Sequence, residues 1–288
     1  MIVYSKDNNF RLRGRACHES GPDALTTTQS TFNVIQGSQS WNLLQLRKCE
    51  YLCIVMPIRR LPGEVRTPVV RDQIGMLNLI EEYRLIPFFV NPIPGYSIEE
   101  HMPSEQWFTE DSLGPWDWKI ECIQNGDIAY GKYLFGGKAA FATVDVYREI
   151  INWRRSQPKY QPTPEQQKVL DYMNENGSIS VPETRVLMGI NKAAADALLA
   201  KLQMETRVIT GFIEREYRGA NLKYSGWQRS VFCSPEALFE EIDFSIPSYK
   251  PMTLKSSLTP EESLEFLKDT VRKVCGDVPE KLLMKLLG

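Results

Sequence analysis

Residues 164–204, PEQQKVLDYMNENGSISVPETRVLMGINKAAADALLAKLQM, decide the fold because they hold three helix patterns in succession. The first pattern begins at Pro164, directly after Thr163, and Gln166 occupies the capping-box position. Apolar residues then recur every three or four positions until Gly177, which ends the helix. This stretch therefore predicts a compact helical unit rather than a sheet.

The helical pattern continues through two more helices and is followed by a pair of strands. A second short helix is predicted from Pro182 to Gly189, and Asn191 caps a third. Two strand-like runs follow at 207–214 and 228–234. Three short helices followed by a two-stranded hairpin is the order of a winged helix-turn-helix, a fold that serves DNA readers and protein-interaction modules alike.

If this unit reads DNA, its third helix should enter the major groove. The candidate exposed positions of that helix are Asn191, Lys192, Asp196, Lys201 and Gln203. Few of these side chains suit base recognition, and the helix is rich in alanine. The pattern leaves two alternatives open, direct readout by this helix or a helix that serves for packing.

The hairpin offers more positive charge than the helix. Its candidate phosphate contacts are Arg215, Arg218, Lys223 and Arg229, with aromatic residues between them. Basic and aromatic side chains together suit phosphate contact and base stacking, although a solvated hairpin tip has a similar composition. Arg154 and Arg155, and a second basic group at 57–66, could line a backbone-binding groove or simply be solvated.

Upstream of the helical unit, the chain is mixed in character. Helical spacing at 71–82, an extended run at 85–90 and a glycine-centred hairpin at 129–142 predict a mixed α/β N-terminal part. The fold class predicted for the whole chain is therefore α+β, mainly helical with short β-hairpins. The predicted division is an irregular arm at 1–40, the mixed domain at 41–158, the winged-helix domain at 159–234 and C-terminal helices packing on the core at 235–288.

The net charge of −2 conceals a banded distribution. Residues 41–75 carry +3, residues 76–118 carry −7, and residues 119–159 return to +3. A globally basic protein is excluded, but local DNA contact is not. The acidic band instead fits a basic protein partner, which is the alternative of a protein-interaction module.

An aromatic and acidic segment lies within that band. Trp107, Trp116 and Trp118 surround the carboxylates of Glu110 and Asp117. A carboxylate that tryptophan shields from water has a raised pKa and can act as a general acid or base, and an aromatic pocket suits a flipped base. Tryptophans of this kind also serve as packing anchors, so both interpretations stay open.

Other kinds of chemistry lack a motif. The six cysteines and two histidines do not have the spacing of a metal site, and no dinucleotide, phosphate-loop or nucleophile-elbow motif is present. The sequence predicts no metal and no cofactor. No signal-peptide pattern and no membrane-length apolar run occur, which predicts a cytoplasmic protein without a membrane partner.

Several stretches together resemble one protein family. They are NPIPGYSIEEHMPSEQWFTED (91–111), GPWDWK (114–119), AYGKYLFGGKAAF (129–141), VDVYREIINWRR (144–155) and the block at 164–234. They look like the AlkZ-related proteins, bacterial relatives of the AlkZ and YcaQ group of winged-helix DNA glycosylases. The resemblance covers roughly residues 70–288.

The resemblance implies a winged-helix scaffold that associates with double-stranded DNA, damaged or distorted DNA in particular. The glycosylases themselves use a Gln-x-Gln or Gln-x-Asp pair to position water, and no glutamine of this chain stands in such a pair. No catalytic residue is therefore carried over. An active glycosylase would have to use another carboxylate, Glu110 or Asp117, which is the enzymatic alternative.

Overall fold

The structure is a computed structural model that describes residues 70–107, 114–125, 128–218, 223–240 and 252–288. All of these residues belong to one compact unit. The predicted arm at 1–40, the basic group at 57–66 and Glu110 lie outside the described residues. The side chains of Arg218 and Lys223 also lie outside them.

The described ranges contain helices and short antiparallel strands. The helices are α1 (Gln73–Tyr83), α2 (Pro115–Asn125), α3 (Val144–Ser156), α4 (Pro164–Asn176), α5 (Val181–Met188), α6 (Lys192–Met204), α7 (Pro235–Phe239), α8 (Pro260–Cys275) and α9 (Glu280–Leu287). The strands are β1 (Leu85–Pro87), β2 (Ile128–Leu134), β3 (Lys138–Thr143), β4 (Ile179–Ser180), β5 (Ile209–Arg218) and β6 (Lys223–Cys233). The fold class is α+β, as predicted.

The first sheet has the strand order β1-β3-β2, with both pairings antiparallel. The β2–β3 hairpin turns at Gly136 and Gly137, whose φ angles of 67° and 86° lie in the region that favours glycine. The hairpin predicted at 129–142 is therefore present. Its strands and α1 contribute Ile80, Phe141 and other buried side chains to the larger of two apolar cores.

The acidic segment contains the start of a helix that the sequence pattern did not predict. Helix α2 begins at Pro115, and the carbonyl of Gly114 accepts the backbone N–H groups of Asp117 (2.9 Å) and Trp118 (3.0 Å). Proline at the first helical position and an acidic side chain in the first turn both favour a helix start. The same residues also favour a turn, which is why the sequence pattern did not distinguish the two.

Helices α3 and α8 pack against each other around a buried carboxylate. Glu149 on α3 is 1% exposed, and it accepts hydrogen bonds at 2.6 Å from both Ser256 and Ser263. Arg148 pairs with the same carboxylate at 2.8 Å. Burial works against ionisation, but these hydrogen bonds outweigh it and hold the pKa of Glu149 below its ordinary value.

Replacing Glu149 by glutamine is expected to lower the free energy of unfolding by about 2 kcal/mol at pH 7, since it weakens charge-assisted hydrogen bonds. The native pKa lies below the unfolded one, so this stabilisation is complete above the unfolded pKa and is lost as the pH falls through the native one. Urea unfolding at pH 7 and pH 3 should therefore give a smaller difference at pH 3. Exposed Glu175→Gln is the control, and an equal difference at both pH values would contradict the prediction.

The helical unit predicted from the sequence is built from strong local signals. Thr163 with Gln166 and Ser180 with Glu183 both form complete capping boxes, at the starts of α4 and α5. Strand β4 pairs with β6, which pairs with β5, so the second sheet has the order β4-β6-β5. The hairpin strands are longer than predicted, and they absorb most of the connection that the sequence placed at 215–227.

A small core holds this helical unit together. It consists of Val169, Leu170, Met173, Ile179, Leu199, Leu202, Val208 and Phe232. The C-terminal helices join the other, larger core through Leu267, Val271 and Leu283. The described residues form one compact unit, which does not test the domain boundaries proposed at 158/159 and 234/235. These boundaries stay predictions.

Candidate nucleic-acid interface

One face of α6 is open to solvent. Asn191 caps the helix through its Oδ1 atom, which accepts the N–H of Ala194 at 2.9 Å. Lys192 and Lys201 have side chains that are 74% and 57% exposed. The exposed residues between them are the alanines 193, 194 and 197. The exposed surface of α6 is therefore smooth, and its two lysines lie near opposite ends of the helix and project about 180° apart around its axis.

Each of the two lysines of α6 is paired with a carboxylate, which lies on the same helix or at its end. Lys192 Nζ lies 2.7 Å from Asp196 Oδ2, and Lys201 Nζ lies 3.9 Å from Glu205 Oε1. The Lys192–Asp196 pair is exposed and contributes little stability, so a phosphate can replace Asp196 at small cost, whereas Glu205 is 1% exposed and would stay buried without Lys201. The pairs still reduce the net attraction that the face exerts on DNA.

The opposite face of α6 is buried, and it includes a residue predicted to be exposed. Gln203 is 2% exposed, and its Oε1 atom accepts the backbone N–H of Lys132 on β2 at 2.9 Å. Gly131 makes room for this contact, since a Cβ atom there would lie 3.0 Å from Gln203 Oε1. The expectation that Gln203 faces DNA is wrong, because its amide joins α6 to the first sheet.

Arg215 links the hairpin to α2 through two ion pairs. Its guanidinium lies 3.3 Å from Asp117 and 2.9 Å from Glu121. Burial works against the charged form, but these two carboxylates hold the pKa of Arg215 above its ordinary value. Arg215 is therefore engaged inside the protein, and so is Asp117, whose carboxylate was a candidate acid or base.

The other predicted hairpin cations differ in how well they are defined. Arg229 is 56% exposed and pairs with Glu216 on the neighbouring strand. The backbones of Arg218 and Lys223 lie opposite each other near the hairpin tip. Their side chains lie outside the described part of the chain.

The two arginines at the end of α3 both point into the protein. Arg154 is 0% exposed, and its guanidinium donates to the carbonyl of Met204 at 2.9 Å and to that of Leu287. Arg155 pairs with Glu236 and donates to the carbonyl of Thr206 at 2.7 Å. Arg154 therefore has no surface to offer to a phosphate, whereas Arg155 stays partly exposed.

Within the described residues, the three tryptophans pack against other apolar and aromatic side chains. Trp107 and Trp116 pack edge to face, with ring centroids 5.6 Å apart, and both contact Phe88 and Phe89. Trp118 is 7% exposed and belongs to the larger core. This arrangement matches the packing interpretation that the sequence left open.

Sequence reasoning missed a buried lysine beside these rings. Lys119 is 7% exposed, and its Nζ atom lies 5.2 Å from the ring centre of Trp116 and 5.7 Å from that of Tyr130. Burial lowers the pKa of Lys119 to about 8, against a smaller opposing effect of Asp117. Its position in GPWDWK gives no sign of burial, since a lysine after two tryptophans is usually solvated.

An apolar patch lies on α5. Val186 is 86% exposed, and with Pro182, Leu187 and Tyr172 it lines an open cavity of about 370 Å³. Exposed apolar side chains that cluster in this way are typical of binding surfaces. The sequence pattern had placed Pro182, Val186 and Leu187 in a short helix without indicating that an apolar face of it is uncovered.

The described ranges offer neither a metal site nor a membrane span. Within them, no group of three or more His, Cys, Asp and Glu side chains is placed to hold a metal ion. Over the same part of the chain, no helix combines the length and apolarity needed to cross a bilayer.

Among the predicted contacts whose side chains the structure describes, Lys192 and Lys201 on α6 and Arg229 on the hairpin are more than half exposed. Comparison with family models adds an identity: the model of the AlkZ-related family matches residues 71–288. The chain belongs to the AlkZ-related family. Comparison with curated proteins and with solved structures gives no match.

Proposed function

We propose that residues 164–233 form a winged helix-turn-helix unit and that the chain associates with double-stranded DNA through its phosphates. The element order supports the first part, because α4, β4, α5, α6 and the β5–β6 hairpin follow one another as in that fold. The exposed face of α6 carries the second part, because this is the helix that enters the major groove in winged-helix DNA readers.

The charges on α6 and on the hairpin determine the affinity and the salt dependence of the DNA binding that we expect. Lys192, Lys201 and Arg229 are the predicted cations with large exposed fractions, and each has a carboxylate partner. Phosphates would compete with these carboxylates, so binding is weak and depends on salt. The alanines between the lysines allow close approach and can contact thymine methyl groups, but they cannot donate hydrogen bonds to bases.

The family relation favours damaged or distorted DNA as the target within this class. Glycosylase activity is not part of the proposal, because the Gln-x-Gln and Gln-x-Asp pairs are missing and Asp117 is held by Arg215. A protein-binding role is the second candidate, and the exposed apolar side chains of α5 favour it. Absence of DNA binding at low salt would shift the preference to that role.

The double variant Lys192→Gln, Lys201→Gln tests the proposal. Because glutamine cannot neutralise a phosphate, we expect affinity for a duplex at 50 mM salt to fall about tenfold and the slope of log K against log salt to become less steep by about 2. Fluorescence anisotropy with plain and lesion-bearing duplexes measures both quantities. Lys273→Gln, Lys281→Gln is the matched control, since it removes two exposed charges from α8 and α9.

Two outcomes would overturn the proposal. One is wild-type protein that shows no salt-dependent binding to either duplex. The other is an equal loss of affinity in the α6 variant and in the control variant, because net charge alone would then explain the effect. Tighter binding of the lesion-bearing duplex by the wild type would support the narrower target.

A further inference from the structure

A polar cavity opens beside α4, and its lining includes none of Lys192, Lys201 and Arg229. Its volume is about 260 Å³, and its polar lining includes Arg155, Arg207, Gln167, Asn174, Ser234 and Glu236. Cavities for whole cofactors and drug-sized ligands are usually larger than about 300 Å³. The size and the lining fit a small charged group.

Two guanidinium groups dominate the charge of this cavity. Arg155 is paired with Glu236, and Arg207 donates from Nη2 to Gln161 at 3.1 Å. Burial, followed by repulsion from Arg155, lowers the pKa of Arg207. The carboxylate of Glu236 balances one of the two cations. Glu205 also interacts electrostatically with Arg207, but it is already paired with Lys201. One positive charge is therefore left in excess.

The protein does not satisfy the hydrogen-bonding capacity of either arginine. The Nε atoms of Arg155 and Arg207 are both buried and have no acceptor among the described residues. Buried donors without an acceptor are uncommon and weaken the folded state. Two of them on neighbouring guanidiniums beside one cavity indicate that this cluster is not optimised for stability alone.

The backbone at Thr206, which lies next to both arginines in the folded chain, is strained as well. Thr206 has a φ angle of 56°, which is rare for a β-branched residue, and it is fully buried. Its carbonyl accepts from Arg155, and it directly precedes Arg207 in the chain. Strain of this kind is concentrated at functional sites. Here the strained residue bonds one of the two arginines and directly precedes the other.

We propose that this cavity binds a phosphate group, with Arg207 and Arg155 as its cationic ligands and with Gln167 and Asn174 at the polar rim. Planar guanidinium forks suit phosphate oxygens, and Arg207 is the less engaged of the two. The phosphate can belong to a free phosphorylated molecule or to a DNA backbone. The proposal does not depend on the role of α6.

Titration of the full chain with inorganic phosphate at constant ionic strength tests the site. We expect saturable binding by calorimetry and a rise in melting temperature with phosphate, since a ligand that binds the native state stabilises it. Arg207→Gln should weaken phosphate binding at least tenfold. Arg185→Gln removes an exposed arginine of α5 that is outside the cavity lining and should leave phosphate binding unchanged.

A second variant guards against misfolding of Arg207→Gln. Asn174 is exposed at the rim, so Asn174→Asp places a negative charge at the cavity without touching either arginine, and it should also weaken phosphate binding. Absence of saturable binding, or binding that is unchanged in both variants, overturns the proposal.

The anisotropy assay distinguishes the two sources of the phosphate. If the site takes DNA, inorganic phosphate competes with the duplex and Arg207→Gln weakens both ligands. If the site takes a free phosphate, Arg207→Gln loses phosphate binding while its DNA affinity stays at the wild-type value. Failure of the α6 proposal is detected separately, by the Lys192→Gln, Lys201→Gln variant.

Discussion

Replacing Arg154 by alanine is expected to lower the free energy of unfolding by about 4 kcal/mol, the largest loss that we predict for a single side chain. The guanidinium is fully buried, joins the carbonyls of Met204 and Leu287, and lies 5.3 Å from the ring centre of Tyr160. Alanine leaves a cavity and two buried carbonyls without donors. Both effects act in the same direction, and we expect them to exceed the gain from no longer burying a cation whose pKa burial lowers.

Methionine at the same position separates the two contributions. Arg154→Met keeps much of the apolar volume but still leaves the two carbonyls without a donor, so we expect it to lose about 2 kcal/mol. Urea unfolding followed by circular dichroism measures both variants, and Arg185→Ala on the exposed side of α5 is the control, with a change below about 0.5 kcal/mol. A loss below about 1 kcal/mol for Arg154→Ala would contradict the prediction, since a buried group with two acceptors should cost more than that to remove.

Amide hydrogen exchange gives the same prediction a spatial test. Arg154 lies on α3, whereas its two acceptors belong to the last residues of α6 and α9. In Arg154→Ala, exchange should therefore become faster at the ends of both helices, which are far apart in sequence. Faster exchange confined to α3 would mean that the side chain serves only its own helix.

Local signals explain why much of the helical unit could be predicted from the sequence. Capping boxes depend on residues three positions apart, and Thr163 with Gln166 starts its helix at the predicted place. The glycine turn of the first hairpin is equally local. Such features are encoded in a few neighbouring residues, so the sequence contains all the information that they need.

The surroundings of the predicted site residues could not be predicted in this way, because their partners are distant in sequence. Arg215 meets Asp117 and Glu121 across 98 and 94 residues of sequence, and Arg154 reaches Leu287 across 133. Composition marks such arginines as surface cations, since a charged side chain is rarely buried without a partner. The partners appear only when the chain is folded.

The acidic band at 76–118 illustrates the same limit. Glu99 accepts the backbone N–H of Val90 at 2.9 Å, and Glu100 accepts that of Gly95 at 2.8 Å. These carboxylates stabilise the loop that contains them. The net charge of the band therefore overstates the attraction that it exerts on a basic partner, and only the folded structure shows which carboxylates are engaged in this way.

Replacing Lys119 by methionine is expected to raise the free energy of unfolding at pH 7 by about 2 kcal/mol. A native pKa of about 8, against the ordinary lysine value of 10.5, corresponds to an ionisation penalty of about 3 kcal/mol in the folded state. Loss of the cation–π contacts with Trp116 and Tyr130 offsets about 1 kcal/mol of this gain. Methionine also fits the volume of the buried lysine stem.

The dependence on pH identifies the cause of this gain. Between about pH 8 and pH 10.5 the unfolded chain binds more protons at Lys119 than the folded chain does, so this group makes the wild type more stable as the pH rises. The advantage of Lys119→Met should therefore be full at pH 7 and should shrink by about pH 9.5. Exposed Lys132→Met on β2 is the control, with no such trend expected. A destabilised Lys119→Met at neutral pH, or a difference that does not change with pH, would show that the buried ammonium carries no such penalty.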